Sequence, residues 1–145
     1  MTKTVRRLLE NRSGPLWTIT PNQPARDAIT LMSAKGIGAL LVTEGEQLVG
    51  IITERDIVRK FSILTTDTTS VRDLMTERVL YVDPDQTVED CMALMTERHV
   101  RHLPVLDGGR LVGIVSIRDV VADVIAEQSF MIEQLEHYIT GGRPR

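Results

Sequence analysis

Gly50-Ile51-Ile52-Thr53-Glu54-Arg55-Asp56 and Gly113-Ile114-Val115-Ser116-Ile117-Arg118-Asp119 stand 63 residues apart and share one register: glycine, two aliphatics, a hydroxyl, two further residues and an aspartate. Extending the comparison outward lays Thr18–Val58 over Tyr81–Val121 without a gap, with 15 identities over 41 positions. Pro21/Pro84, Gln23/Gln86, Asp27/Asp90, Met32/Met95, Leu40/Leu103 and Val42/Val105 are among them. A fixed offset is the mark of a duplicated unit that buries its apolar face only against a neighbour. A weaker match precedes each copy, Val5-Arg6-Arg7-Leu8-Leu9 against Val71-Arg72-Asp73-Leu74-Met75. Its offset is 66, so the first copy carries three extra residues around Ser13-Gly14-Pro15.

Within each copy the hydrophobic period changes. Ala25, Ala28, Ile29 and Met32, and in the second copy Val88, Cys91, Met92 and Met95, fall at the spacing of an amphipathic helix. Two short apolar runs come next, Ala39–Val42 and Leu48–Ile52, then Leu103–Leu106 and Leu111–Val115 in the second copy. The turns between them, Glu44-Gly45-Glu46 and Asp107-Gly108-Gly109, predict hairpins. A second helix is expected through Ile57, Val58 and Phe61, and through Val120, Val121, Val124 and Ile125. The expected class is α+β, with two β-α-β-β-α repeats packed about a pseudo-twofold axis. The expected divisions are residues 1–64, residues 65–126 with Thr65–Ser70 as linker, and a tail of residues 127–145. In that tail Met131, Leu135 and Tyr138 predict a third amphipathic helix over Phe130–Ile139, then a frayed Gly141–Arg145. The helix either caps its own module or packs on a second subunit.

Composition narrows the function. The 145 residues are 42% hydrophobic but only 3% aromatic, so the core is aliphatic. A net charge of −3 argues against a protein that binds nucleic acid by neutralising phosphates. Cys91 is the single cysteine, which excludes an internal disulfide and any Cys-based zinc cluster. No apolar run approaches the ~20 residues that span a bilayer, and no apolar stretch succeeds Met1–Arg7 as in a signal peptide. The expected setting is reducing and cytoplasmic. His99, His102 and His137 lack partners at metal-ligand spacing, so no metal site is expected. Cys91 reads as a small buried hydrophobe, and Trp17 as a packing residue or a platform for a ligand base. No Ser-His-Asp or paired-carboxylate arrangement is legible, so the chain reads as non-catalytic.

Two readings of the repeated motif remain open at this point. Thr53 or Ser116, with Asp56 or Asp119 three residues later and then an apolar helix, fits a capping box. The same geometry offers an acceptor-only carboxylate to the two hydroxyls of a ribose. Helix-start amides, with Arg55 and Arg118, would then hold phosphate.

With repeat, spacing and motif together, Val5 to Ile125 resembles a tandem pair of CBS (cystathionine-β-synthase) domains, a Bateman module, and Leu103-Pro104-Val105-x-Asp107 strengthens the likeness. The resemblance implies a stand-alone module, without enzymatic activity, that binds an adenosine nucleotide between the copies and regulates a partner protein. AMP comes first, with ADP, ATP, NAD and S-adenosylmethionine as the other ligands. It implies that Asp56 and Asp119 hold ribose, assisted by Thr53 and Ser116. It implies one cleft pairing Ser116 and Asp119 with Thr20, Ala25, Ile37, Gly38 and Ala39. The other pairs Thr53 and Asp56 with Val88, Val100, Arg101 and His102, so the clefts differ in phosphate affinity. It also implies a disk-like homodimer through the stripes Ile29/Met32 and Val120/Val124. The alternative is a ligand-free interaction module in which the motif only caps helices.

Overall fold

A computed structural model describes residues 3–11, 15–61 and 65–139. In chain order they form α1 (Val5–Glu10), β1 (Thr18–Ile19), α2 (Ala25–Lys35), β2 (Ala39–Glu44), β3 (Gln47–Thr53), α3 (Glu54–Lys60), α4 (Val71–Leu74), α5 (Val88–Arg98), β4 (His102–Asp107), β5 (Arg110–Ser116) and α6 (Ile117–Ile139). The 63-residue offset holds for α2 and α5 and for both hairpins. The first sheet runs β1-β2-β3, with β1 parallel and β3 antiparallel to β2; the second is the β4-β5 hairpin. In the second copy the strand equivalent to β1 shrinks to a single parallel bridge, Val82 with Val105.

Local chemistry sets the boundaries. The hairpin turns hold Gly45 at φ 59, and Gly108 and Gly109 at φ 59 and 84, angles that cost glycine nothing. α2 ends on Gly36 at φ 64, whereas the equivalent end of α5 is His99 at φ 55. A non-glycine residue in the left-handed region costs about 1–2 kcal/mol. His99→Gly should therefore raise the urea midpoint, with a gain of about 1 kcal/mol, and unchanged or lower stability would refute the assignment.

Except for Val112, which is 43% exposed, the apolar runs of the hairpins are buried or half-buried on both faces, which explains why they lack polar alternation. Leu40, Val42 and Ile52 point into a first core with Ala28 and Met32, while Leu103, Val105 and Val115 point into a second with Cys91 and Met95. The alternate residues Ala39, Leu41 and Ile51 turn the other way, onto Leu48, Val79, Leu111 and Ile114. This third cluster holds the two hairpins together.

Each core is completed by the helix that precedes the other copy. Val5 of α1, with Leu8 and Leu9, packs in the second core, and Val71, Leu74 and Met75 pack in the first. The backbone agrees: Thr4 bridges Thr87 and Pro24 bridges Ser70. A Cβ on Gly113 would stand 2.9 Å from Leu9 Cδ2, and one on Gly50 would stand 2.7 Å from Met75 Sδ, so these motif glycines admit the swapped helices. The expected division at residue 64 respects chain order, whereas the packing crosses it.

Three expectations are corrected. Met32 and Val120 are 4% and 1% exposed and belong to the cores, so they form no dimer stripe; Ile29 is the exposed member at 37%. Val58, at 79%, lies outside the core, because α3 is only seven residues long and packs Ile57 alone against it. The two helices expected after Ser116 are one, α6, which runs 23 residues without a break and contains no Gly or Pro. Ser13, Gly14 and residues 140–145 lie outside the described residues.

Candidate functional site

Thr53 and Ser116 end β3 and β5 and begin α3 and α6, so each motif lies at a strand-to-helix junction. Thr53 leaves the strand with extended geometry, and its hydroxyl accepts the Asp56 N–H at 3.1 Å. In return Asp56 Oδ2 accepts the Thr53 N–H at 3.0 Å and its hydroxyl at 3.1 Å. Ser116 and Asp119 repeat the arrangement at 2.7 Å and 2.9 Å, with the Asp119 N–H 3.3 Å from the serine hydroxyl. These are reciprocal capping boxes. The same box recurs at Ser70/Asp73 and Thr87/Asp90, away from the motif.

Asp56 has further duties. Its Oδ1 accepts the Thr76 hydroxyl at 2.9 Å and faces Lys60 Nζ at 3.6 Å. Lys60 in turn donates to the carbonyls of Leu74 and Met75 at 3.0 and 3.1 Å. With its side chain 13% exposed, Asp56 ties α3 to α4 and to the strand end at once. Thr76 and Lys60 were not among the sequence candidates. Lys60 stands four residues after Asp56, a spacing the sequence does show, whereas Thr76 reaches the site only through the crossed helices.

The two copies meet at the candidate residues. Arg55 Nη1 donates to the His99 carbonyl at 2.7 Å, a tie from the first motif to the second copy. A Cβ on Gly38 would lie 3.5 Å from the Glu54 carboxylate and 3.6 Å from His102 Cε1, so Gly38, Glu54 and His102 are neighbours. Within each copy Ala39 pairs with Thr53 and His102 with Ser116 across the hairpin. Gly38 accepts the Glu54 N–H at 3.0 Å, and Arg101 accepts the Ile117 N–H at 2.8 Å. The guanidinium groups of Arg101 and Arg118, both exposed, carry no hydrogen bond or ion pair among the described residues.

The other candidates have their side chains or N–H groups committed elsewhere. Ala25 and Val88 bury their side chains in the two cores and give their N–H groups to Thr69 and Lys3 carbonyls. Ile37 and Val100 pack against the same cores, and Ala39 sits in the cluster between the sheets. Thr20 is exposed, and its N–H and hydroxyl both go to Gln23 Oε1, at 2.9 and 3.1 Å. A groove of about 330 Å³ beside β1 and α2, lined by Thr18, Gln23, Asp27 and Leu31 among others, contains none of the expected site residues.

Cys91 is fully buried, and burial together with the charge of Asp90 pushes its thiol up to about 11, which leaves it a neutral hydrophobe. Lys35 Nζ stands 4.3 Å above the Trp17 ring centroid and covers one face of it. Among the described residues no group of three or more His, Cys, Asp or Glu gathers as metal ligands, and no helix is long and apolar enough to cross a membrane.

Known proteins share this fold. The family model of the CBS domain matches twice, over residues 5–63 and 71–125, each match beginning at one of the crossed helices. The chain belongs to the CBS domain family. A mitochondrial CBS domain-containing protein of Arabidopsis thaliana, CBSX3, is 40% identical over 134 residues, which cover 88% of this chain. This chain spans only 65% of that relative's length. The solved CBS domain of NE2398 is 48% identical, with a TM-score of 0.83, and the match covers 86% of this chain and 99% of that one. CBSX2, solved in complex with AMP, is 27% identical with a TM-score of 0.72, covering 86% of this chain and 97% of that one.

Proposed function

We propose that this CBS pair is a regulatory module without catalysis, which takes an adenosine nucleotide between its copies and so alters the surface read by a partner protein. AMP is the first ligand to test, because it is the molecule held by CBSX2. The observation that carries the reading is the paired hydroxyl and carboxylate at each strand-to-helix junction, in a fold shared with that AMP complex. Ser116 with Asp119 forms one candidate ribose site and Thr53 with Asp56 the other, where Asp56 is also engaged by Thr76 and Lys60. Arg118 and Arg101 supply positive charge without giving up an existing pair. A ligand touching Gly38 in one copy and Asp119 in the other favours one relative arrangement of the copies, which is a population shift. A cytoplasmic setting belongs to the same proposal, beside a relative whose name places it in mitochondria.

One observation favours the second reading, a ligand-free interaction module. Among the described residues four capping boxes of the same build occur, two of them away from the motif, so the motif geometry is complete as a cap. Isothermal titration with AMP, ADP, ATP, NAD and S-adenosylmethionine separates the two. A nucleotide module should bind at least one of them saturably, and Asp119→Ala should weaken that binding by about 1.5–3 kcal/mol, the scale of hydrogen bonds to a charged group. No binding by any of the five up to about millimolar would leave the interaction module standing.

A further inference from the structure

Asp27 lacks the local partner that its counterparts have. In α3, α4, α5 and α6 the aspartate three residues after the cap closes back on the N–H of the capping serine or threonine. α2 begins instead on Pro24, which has neither an N–H nor a hydroxyl to offer. Asp27 is therefore left out of a capping box, although the repeat lays it directly over Asp90. Its Oδ2 takes only a long bond from Gln23 Nε2, at 3.4 Å, and its Oδ1 carries no hydrogen bond or ion pair among the described residues. The neighbouring Arg26 is committed to Asp67.

That carboxylate lines the groove of about 330 Å³ between β1 and α2. The volume falls at the small end of the about 300–1,000 Å³ of small-molecule sites. Ile19, Leu31 and Ala34 give the groove an apolar wall, and Thr18 and Thr30 add hydroxyls. Its two ends differ in sign. Asp27 and Gln23 stand at the start of α2, and Ala34 lies seven residues along the helix, about 10 Å away, next to Lys35. Lys35 Nζ is over the ring of Trp17, the residue before Thr18, so an ammonium flanks the far end. The occupant that fits carries a cation at one end, an anion at the other and an aliphatic stem between them. The second copy offers nothing equivalent: Asp90 is spent on Thr87, and Tyr81 and Glu97 replace Thr18 and Ala34. There the ring adds bulk, and the extra carboxylate reverses the sign that the far end needs.

We infer that the groove between β1 and α2 binds a free basic amino acid, with its side-chain cation on Asp27 and its carboxylate toward Lys35. Arginine is the first probe, because its planar fork can meet a carboxylate through two parallel hydrogen bonds.

Titration of the isotope-labelled full chain with arginine, followed through the amide chemical shifts, tests this. The shifts should saturate and cluster on residues 18–19 and 23–34, whether or not AMP is present. Citrulline keeps the shape but loses the charge, and should bind at least about tenfold more weakly. Agmatine lacks the carboxylate, and should bind about two- to fivefold more weakly, the scale of an exposed ion pair. Asp27→Asn should weaken arginine at least about tenfold, while Asp90→Asn leaves its affinity unchanged. Thr18→Tyr, which copies the second repeat, should block the groove while the remaining amide shifts keep their folded dispersion. No saturable shifts up to about 20 mM arginine would overturn the assignment. So would citrulline or agmatine binding as tightly as arginine, an Asp27→Asn variant that titrates like the parent, or shifts centred on Thr53 or Ser116 instead.

Discussion

Val5→Asp is expected to destabilise the protein by about 3–5 kcal/mol, the cost of an uncompensated buried charge. The damage should fall on the second copy, although Val5 precedes the first. Val5 is 0% exposed and lies in the core that contains Val88, Met95, Leu103 and Val115. The ionised side chain meets only hydrocarbon there. Hydrogen exchange reads the location: protection should collapse in α5, β4 and β5 while β2 and β3 retain it longer. Val71→Asp, at the equivalent 0%-exposed position in the other core, should reverse the pattern. Loss confined to β2 and β3 in the Val5 variant would refute the crossed arrangement.

That crossing shows where the sequence is legible and where it is not. The repeat, the hairpin turns and the caps are local: glycine at Gly45 and Gly108 and Ser/Thr-x-x-Asp at each motif helix start carry their geometry with them. Accordingly α2, α5 and all four hairpin strands fall where the hydrophobic period places them. Which core an apolar face enters is a tertiary matter. Val5 and Val71 stand in a weak match ahead of each copy to which the repeat pattern assigns no element, and only the change of offset from 63 to 66 hints that these segments are placed independently of the repeats behind them. Ile29 and Met32 read as one stripe, yet three residues along a helix separate an exposed position from a buried one. The motif was legible as chemistry, but its two members look alike in sequence. What tells Asp56 from a plain cap is Thr76, 20 residues on and delivered by the crossed α4 segment.

Asp56→Ala is accordingly expected to cost about 2–4 kcal/mol, because it removes several bonds to an ionised acceptor and leaves their donors behind. Asp90→Ala is the control: Asp90 shares the box with Thr87 but is exposed, so its loss should cost about 0.5–2 kcal/mol, the range of a helix cap. Thr76→Val separates the contributions, since it removes the hydroxyl donor while leaving the box intact; it should recover a large part of the Asp56→Ala loss. Urea denaturation with a common slope measures all three. If Asp56→Ala costs no more than Asp90→Ala, the bonds from Thr76 and Lys60 add nothing and Asp56 is only a cap. If the cost is large and the folded variant still binds nucleotide as the parent does, Asp56 holds the module together and is not a ribose ligand.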